Sequence, residues 1–196
     1  MDTIVAFDLP GHGTPVRLRL FYGKPPNHKE HAPMNKTLLD AINEQINFEL
    51  SSAYLYLSMS AHFHNENLGG FAHWMVVQYQ EETGHAMRFI NYLYDRGARV
   101  QLKLIAQPAT KFKTPLDIFR QVLEHEQEVT AAIHRLYEIA AKEKDYATQN
   151  HLQWFIKEQV EEEKNASGII RMLEMIGNTP VSLIMADRQL AMRKPD

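Results

Sequence analysis

The sequence predicts an all-α fold: four long helices in a bundle, one long crossover between the second and third, and a short fifth helix at the C-terminal end. Three observations point there. Prolines, glycines and capping residues mark off four apolar-periodic segments of about 30 residues each. The connections between them run short, long, short. Each segment also carries a glutamate near its midpoint, on the face that should be buried.

Residues 1–33 stand apart from that pattern. Pro10, Pro15, Pro25, Pro26 and Pro33, with Gly11, Gly13 and Gly23, interrupt any helix, while Val16 to Tyr22 suits a short strand. The chain therefore divides into an irregular N-terminal extension, 1–33, and a domain spanning 34–196. Met34 followed by Asn35 has the look of a chain start, so an over-extended reading frame is the alternative to an appended arm.

The helical segments are Lys36 to Asn65, Leu68 to Arg96, Pro115 to Glu143 and Tyr146 to Ile176. Thr114 before Pro115 is an N-cap with proline in the first helical position, Asp145 can cap the fourth helix, and Gly97 and Gly177 sit where C-terminal glycines belong. Thr179 and Pro180 repeat the cap-then-proline signal and open a fifth segment reaching about Met192. Short links make helices one and two, and three and four, antiparallel neighbours. Between helices two and three lie about 17 residues containing Pro108, enough to extend about 55 Å and so travel the ~44 Å length of a helix.

Composition removes several classes of function. With 196 residues, 44% of them hydrophobic, the chain suits one well-buried core. No apolar run reaches the roughly 18 residues of a membrane span, and the N-terminus lacks a secretory signal, so a cytoplasmic location is the default expectation. A net charge of −3 without any Lys/Arg block argues against nucleic-acid and membrane partners. There is no cysteine, which excludes disulfides, thiolate metal sites and iron-sulfur centres. Any metal must be held by His, Asp and Glu.

The buried seams give the chemistry. Positions spaced alternately three and four apart yield Leu39, Ile42, Ile46, Glu49, Ala53 and Tyr56 on helix one, and Phe71, Met75, Gln78, Glu82, His85, Phe89 and Tyr92 on helix two. Helix three gives Leu116, Phe119, Leu123, Glu126, Thr130, Ile133 and Tyr137, and helix four gives Leu152, Phe155, Gln159, Glu162, Ala166, Ile169 and Leu173. Glu49, Glu82, Glu126 and Glu162 all fall near their helix midpoints and should meet at one height. Four unpaired carboxylates in a dry core would each cost at least several kcal/mol. Protonation or a basic residue could offset that, but the seams hold no basic group except His85. Two divalent cations match the four charges and leave His85 neutral as a ligand. Glu82 and His85, at i and i+3, can reach one ion, which makes Glu82 the natural bridge. Such a ligand set suits iron or manganese better than copper or structural zinc. The alternative is four separate polar residues that set register or lie on solvated edges.

From about Met34 to Met192 the chain resembles the prokaryotic non-haem ferritins. The resemblance rests on Asn43-Glu44-Gln45-Ile46-Asn47-Phe48-Glu49-Leu50, on Gln80-Glu81-Glu82-Thr83-Gly84-His85, and on Gln153-Trp154 leading to Glu158-Gln159-Val160-Glu161-Glu162-Glu163. It implies a ferritin-like fold in which Glu49, Glu82 and His85 hold one iron and Glu82, Glu126 and Glu162 a second, with Gln159 beside it. It implies a third iron site at Glu81, Glu158 and Glu161, for which a solvated acidic face is the alternative. Tyr56 matches a tyrosine that supplies an electron near the iron pair; core packing also accounts for it. Haem is not expected, because the haem-binding methionine that follows the bridging glutamate in bacterioferritins is Thr83 here. The fifth helix resembles the one lining the fourfold channels of 24-subunit cages. The resemblance thus implies a cytoplasmic homo-oligomeric cage that oxidises Fe(II) with O2 or H2O2 and stores ferric mineral.

A rubrerythrin-like or other diiron peroxidase without storage is the rival; the absence of cysteine and of a second ExxH on helix four opposes it. A DNA-protecting mini-ferritin is opposed by the fifth helix. His62, His64, His73, His125, His134 and His151 fall outside the seams and read as surface or interface residues, and the methionines Met172, Met175, Met185 and Met192 read as packing. Gly84 costs up to about 1 kcal/mol inside a helix, which close helix packing would explain.

Overall fold

Capping chemistry sets the helix ends. The computed structural model describes residues 3–7, 16–20, 34–177 and 179–194. Its helices are α1 (Lys36–Asn65), α2 (Gly69–Asp95), α3 (Pro115–Lys142), α4 (Tyr146–Ile176) and α5 (Pro180–Leu190). Thr114 Oγ1 accepts from Asp117 N at 3.2 Å, Asp145 Oδ1 from Thr148 N at 3.0 Å and Thr179 Oγ1 from Ser182 N at 3.2 Å. Gly97 (φ 65°) and Gly177 (φ 68°) adopt the left-handed backbone that a Cβ disfavours, and stop α2 and α4. The predicted second helix is one residue longer at each end than α2.

The start of α2 has no local cap, since Leu68 supplies no side-chain acceptor. Asp187 of α5 takes that role: its Oδ1 accepts from Gly70 N at 2.7 Å and Phe71 N at 3.0 Å. A Cβ on Gly70 would lie 1.7 Å from the Asp187 carbonyl oxygen, so α5 can sit this close only over glycine. Gly84, by contrast, would meet nothing within 4 Å, so among the described residues no other helix of the chain packs closely against it.

α1 packs along α2 and α3 along α4, with α1 also meeting α3 and α5 lying on α2 and α4. Residues 96–114 carry the chain from α2 to α3 without helix or strand. This crossover runs along α1: Gln101 N donates to Asn43 Oδ1 at 2.6 Å, and Ser58 Oγ donates to Ala109 O at 2.6 Å. Leu38, Ile42, Phe63, Phe71, Phe89, Phe119 and Phe155 are among the buried core residues. Among the described residues no helix is long and apolar enough to cross a membrane.

Residues 1–33 form a separate compact unit. β1 (Thr3–Phe7) pairs antiparallel with β2 (Val16–Leu20), in a register that sets Thr3 opposite Leu20 and Phe7 opposite Val16. The expected strand from Val16 is therefore β2. The prolines and glycines of the arm, and Tyr22, lie outside the described residues.

Candidate metal centre

Each bundle helix contributes to one buried polar level. Glu49 comes from α1, Glu82 and His85 from α2, Glu126 from α3, and Gln159 and Glu162 from α4, none more than 5% exposed. Ligand atoms of Glu49, Glu82 and His85 all lie within 4.8 Å of one another. His85 Nδ1 is 3.6 Å from Glu82 Oε2.

Neutral donors steady these carboxylates. Gln45 Nε2 donates to Glu49 Oε1 at 2.9 Å and Gln78 Nε2 to Glu162 Oε2 at 3.1 Å. Glu126 accepts from the Tyr56 hydroxyl on one oxygen and from Gln159 Nε2, at 3.2 Å, on the other. Gln159 Nε2 also lies 3.2 Å from the Glu126 carbonyl oxygen, so the amide fixes both side chain and backbone. Among the described residues none of the four carboxylates forms an ion pair with lysine or arginine. Glu49 Oε2 and Glu82 Oε2 are buried without a hydrogen-bond partner.

The electrostatics follow from that crowding. Burial, and then the charge of Glu82, holds the Glu49 carboxyl well above the usual carboxylate range. Burial raises Glu82 likewise, helped by the charges of Glu126 and Glu162. Burial pushes Glu162 up to about 7, with Glu126 adding to it. Glu126 is raised by burial despite its bonds from Tyr56 and Gln159. Tyr56 is fully buried, and desolvation, then the Glu126 charge, keeps its phenol protonated. A cluster in this state binds protons or cations. Hard divalent ions fit it, because anionic oxygens and one imidazole converge and two of the oxygens are otherwise unsatisfied.

The other residues singled out by sequence are placed differently. Glu81 and Glu158 line a hollow of about 300 Å³ together with Gln80, Gly84, His85, Arg88 and Trp154. Glu161 is exposed and is not part of that lining. Sequence reasoning gave no role to Gln45 or Arg193. Gln45 lies one turn before Glu49, a signal that was present; Arg193, whose Nη2 donates to Glu81 Oε2 at 2.6 Å, follows a helix end and gave none. Two histidines expected at the surface or an interface are half-buried and packed against aromatic rings. His125 bonds Ser52 Oγ at 2.7 Å and meets Phe48 and Tyr56 edge-on, and burial pulls its pKa down to about 4. His151 stacks on Tyr92 with ring centres 4.1 Å apart and is likewise lowered to about 4, mainly by burial. Each behaves as a neutral aromatic ring rather than a surface cation.

Comparison with known proteins agrees with this geometry. A family model described as a ferritin-like domain matches residues 39–176. The chain is 44% identical over 160 residues to a bacterial non-haem ferritin of Bacteroides fragilis, covering 82% of this chain and 99% of that one. It is 38% identical over 163 residues to a bacterial non-haem ferritin of Staphylococcus aureus, covering 83% and 98%. Among solved structures, an open-pore ferritin from the hyperthermophilic archaeon Archaeoglobus fulgidus superposes with a TM-score of 0.82 at 44% identity, over 84% of this chain and 100% of that one.

Proposed function

Because the chain belongs to the ferritin family, we propose that it is an iron-storage ferritin that oxidises ferrous iron at the mid-bundle centre and deposits the ferric product inside a cage of its own copies. One observation carries this reading: four buried glutamates and His85 share one level, with Glu49 Oε2 and Glu82 Oε2 left without partners.

The substrate is a pair of ferrous ions. Glu49, Glu82 and His85 bind the first, Glu82, Glu126 and Glu162 the second, and Glu82 bridges them. Gln159 and Tyr56 hold the Glu126 carboxylate in place. Each ion gives one electron to dioxygen, which leaves with two protons as hydrogen peroxide, or both electrons reduce hydrogen peroxide to water. Carboxylates are hard anionic donors and favour the ferric product. Tyr56, bonded to Glu126, gives a further electron to the same oxidant and releases its phenolic proton as it does so. Twenty-four subunits, a cytoplasmic location and no haem complete the reading, which follows the family resemblance.

Aerobic addition of ferrous iron to the purified protein, followed by absorbance and by sizing, tests it. Rapid ferric absorbance retained in a large particle is expected; oxidation no faster than in buffer, or a small oligomer that releases its iron, would overturn it. Glu82→Ala should slow oxidation more than about 100-fold, beyond the effect of losing an outer partner of a metal ligand. We assign no part of this chemistry to residues 1–33. Deleting them should leave the initial rate within a factor of about two, read in the same assay.

A further inference from the structure

The segment after α5 returns to the edge of the metal centre. Asp187 fastens α5 to the N-terminus of α2 at Gly70 and Phe71. Glu81 lies eleven residues further along α2, about 16 Å up the helix axis. There Arg193 Nη2 donates to Glu81 Oε2 at 2.6 Å, and its guanidinium lies 4.4 Å from the centre of the Trp74 ring. The Arg193 carbonyl oxygen is 2.8 Å from His73 Nε2. Both charged side chains are largely withdrawn from water, at 15% and 11% exposure. This is no solvated surface pair: the cation is held by a carboxylate and an indole face, and its backbone is tied to His73.

Glu81 precedes Glu82 in sequence and lines, with Glu158 and His85, the hollow beside the paired site. A guanidinium stays charged at any physiological pH and occupies a carboxylate oxygen with a directed N–H. A metal ion coming to Glu81 must displace that donor and overcome the repulsion of a fixed positive charge in a poorly solvated place. We propose that Arg193 is a built-in counter-cation that competes with a third metal ion for Glu81, so that filling the position beside the iron pair requires Arg193 and the end of the α5 segment to let go. This rests on the reading of the pair given above. Arg193 bonds directly to Glu81 and to no ligand of the pair among the described residues, although its charge also reaches Glu162 and favours that carboxylate.

Anaerobic calorimetric titration of the assembled protein with Zn²⁺, which undergoes no redox change, tests the competition. The wild type should bind two ions per subunit tightly and a third weakly. Arg193→Gln should bind the third at least about tenfold more tightly and change the first two far less, since the charge opposing the third ion is gone and the pair keeps its own ligands. Arg193→Lys, which keeps the charge, should stay close to wild type, and adding Glu81→Gln to Arg193→Gln should abolish the gain. Equal third-ion affinity in wild type and Arg193→Gln would overturn the proposal. Fewer than two tight ions in the wild type would sink the paired site and this inference together, and so is told apart from that result. Should Arg193→Gln fail to assemble, hydrogen exchange on the wild type decides. Amides of residues 188–194 should exchange faster once Zn²⁺ exceeds two per subunit and not before; unchanged protection beyond that ratio would overturn it.

Discussion

The interior of the bundle has three levels, and the middle one differs in kind from the two that flank it. Towards one end, Tyr56, Phe63, Phe71, Phe119 and Leu173 form an apolar cluster that α5 completes with Ala186 and Leu190. Towards the other, Ile42, Phe89, Leu93, Ile133 and Phe155 form a second. Between them every helix of the bundle interposes buried polar groups: Glu49, Gln78, Glu82, His85, Glu126, Gln159 and Glu162. The end clusters need nothing from outside the chain. The middle does, because its carboxylates are raised above their usual range by burial and by one another. Two self-sufficient ends thus hold together a level that alone would drive the helices apart, and the proposed chemistry sits where the fold is least content with itself.

Truncating an end cluster should be the most damaging change. Phe89 is fully buried and stacks on Phe155 with ring centres 4.0 Å apart and planes 16° from parallel. Phe89→Ala should cost the metal-free protein about 3–5 kcal/mol, read as a lower denaturant midpoint. The same operation in the middle should have the opposite sign. Glu82→Met is similar in volume and removes a crowded carboxyl, so the metal-free protein should gain about 1–4 kcal/mol while losing the rise in Tm that divalent ions confer. If Glu82→Met instead destabilised the metal-free protein as much as Phe89→Ala does, the middle level would be structural and the contrast false.

Much of this division is legible in the chain, because it depends on local spacing. Glu49, Glu82, Glu126 and Glu162 interrupt seams whose period of three and four is set by the helix itself, so their common height follows once the caps fix the ends. Lys36–Asn65 and Tyr146–Ile176 emerge with the predicted ends because Asp145, Gly177 and the flanking residues act within one turn. What stayed hidden joins distant residues. Asp187 accepts from Gly70 across 117 positions, and Arg193 pairs with Glu81 across 112. No periodicity records either, and the glycine that reports the close approach of α5 is Gly70, not Gly84. The ring contacts of the histidines were hidden for another reason: a position outside a seam carries no periodic signal, yet half-buried His151 stacks on Tyr92 as any aromatic ring would. β1 was missed because a five-residue strand acquires its identity from its partner β2.

The smallest effect is a pH dependence, and its sign separates the middle from the ends. Apolar clusters do not titrate, whereas Glu162 is pushed from an ordinary value of 4.5 up to about 7 by burial, and Glu49, Glu82 and Glu126 are raised in the same direction. Between those values the native state keeps a proton that the unfolded chain has released. Stability therefore falls as pH rises through the window, being fully present below the unfolded value and lost as pH climbs through the folded one. A half-buried carboxylate such as Asp145, lowered chiefly by Arg96, acts in the opposite sense but only near and below 3.8, outside the window. Divalent ions reverse the trend, since they bind the deprotonated ligands and bind better as pH rises. Melting the metal-free protein from about pH 5 to 8 should show a declining Tm, and Glu162→Gln should flatten that decline. Zn²⁺-loaded protein should melt higher by a margin that widens across the same range. A metal-free Tm that rose with pH would mean that the four carboxylates are already charged and satisfied in the folded chain, and the distinction between the middle level and its neighbours would disappear.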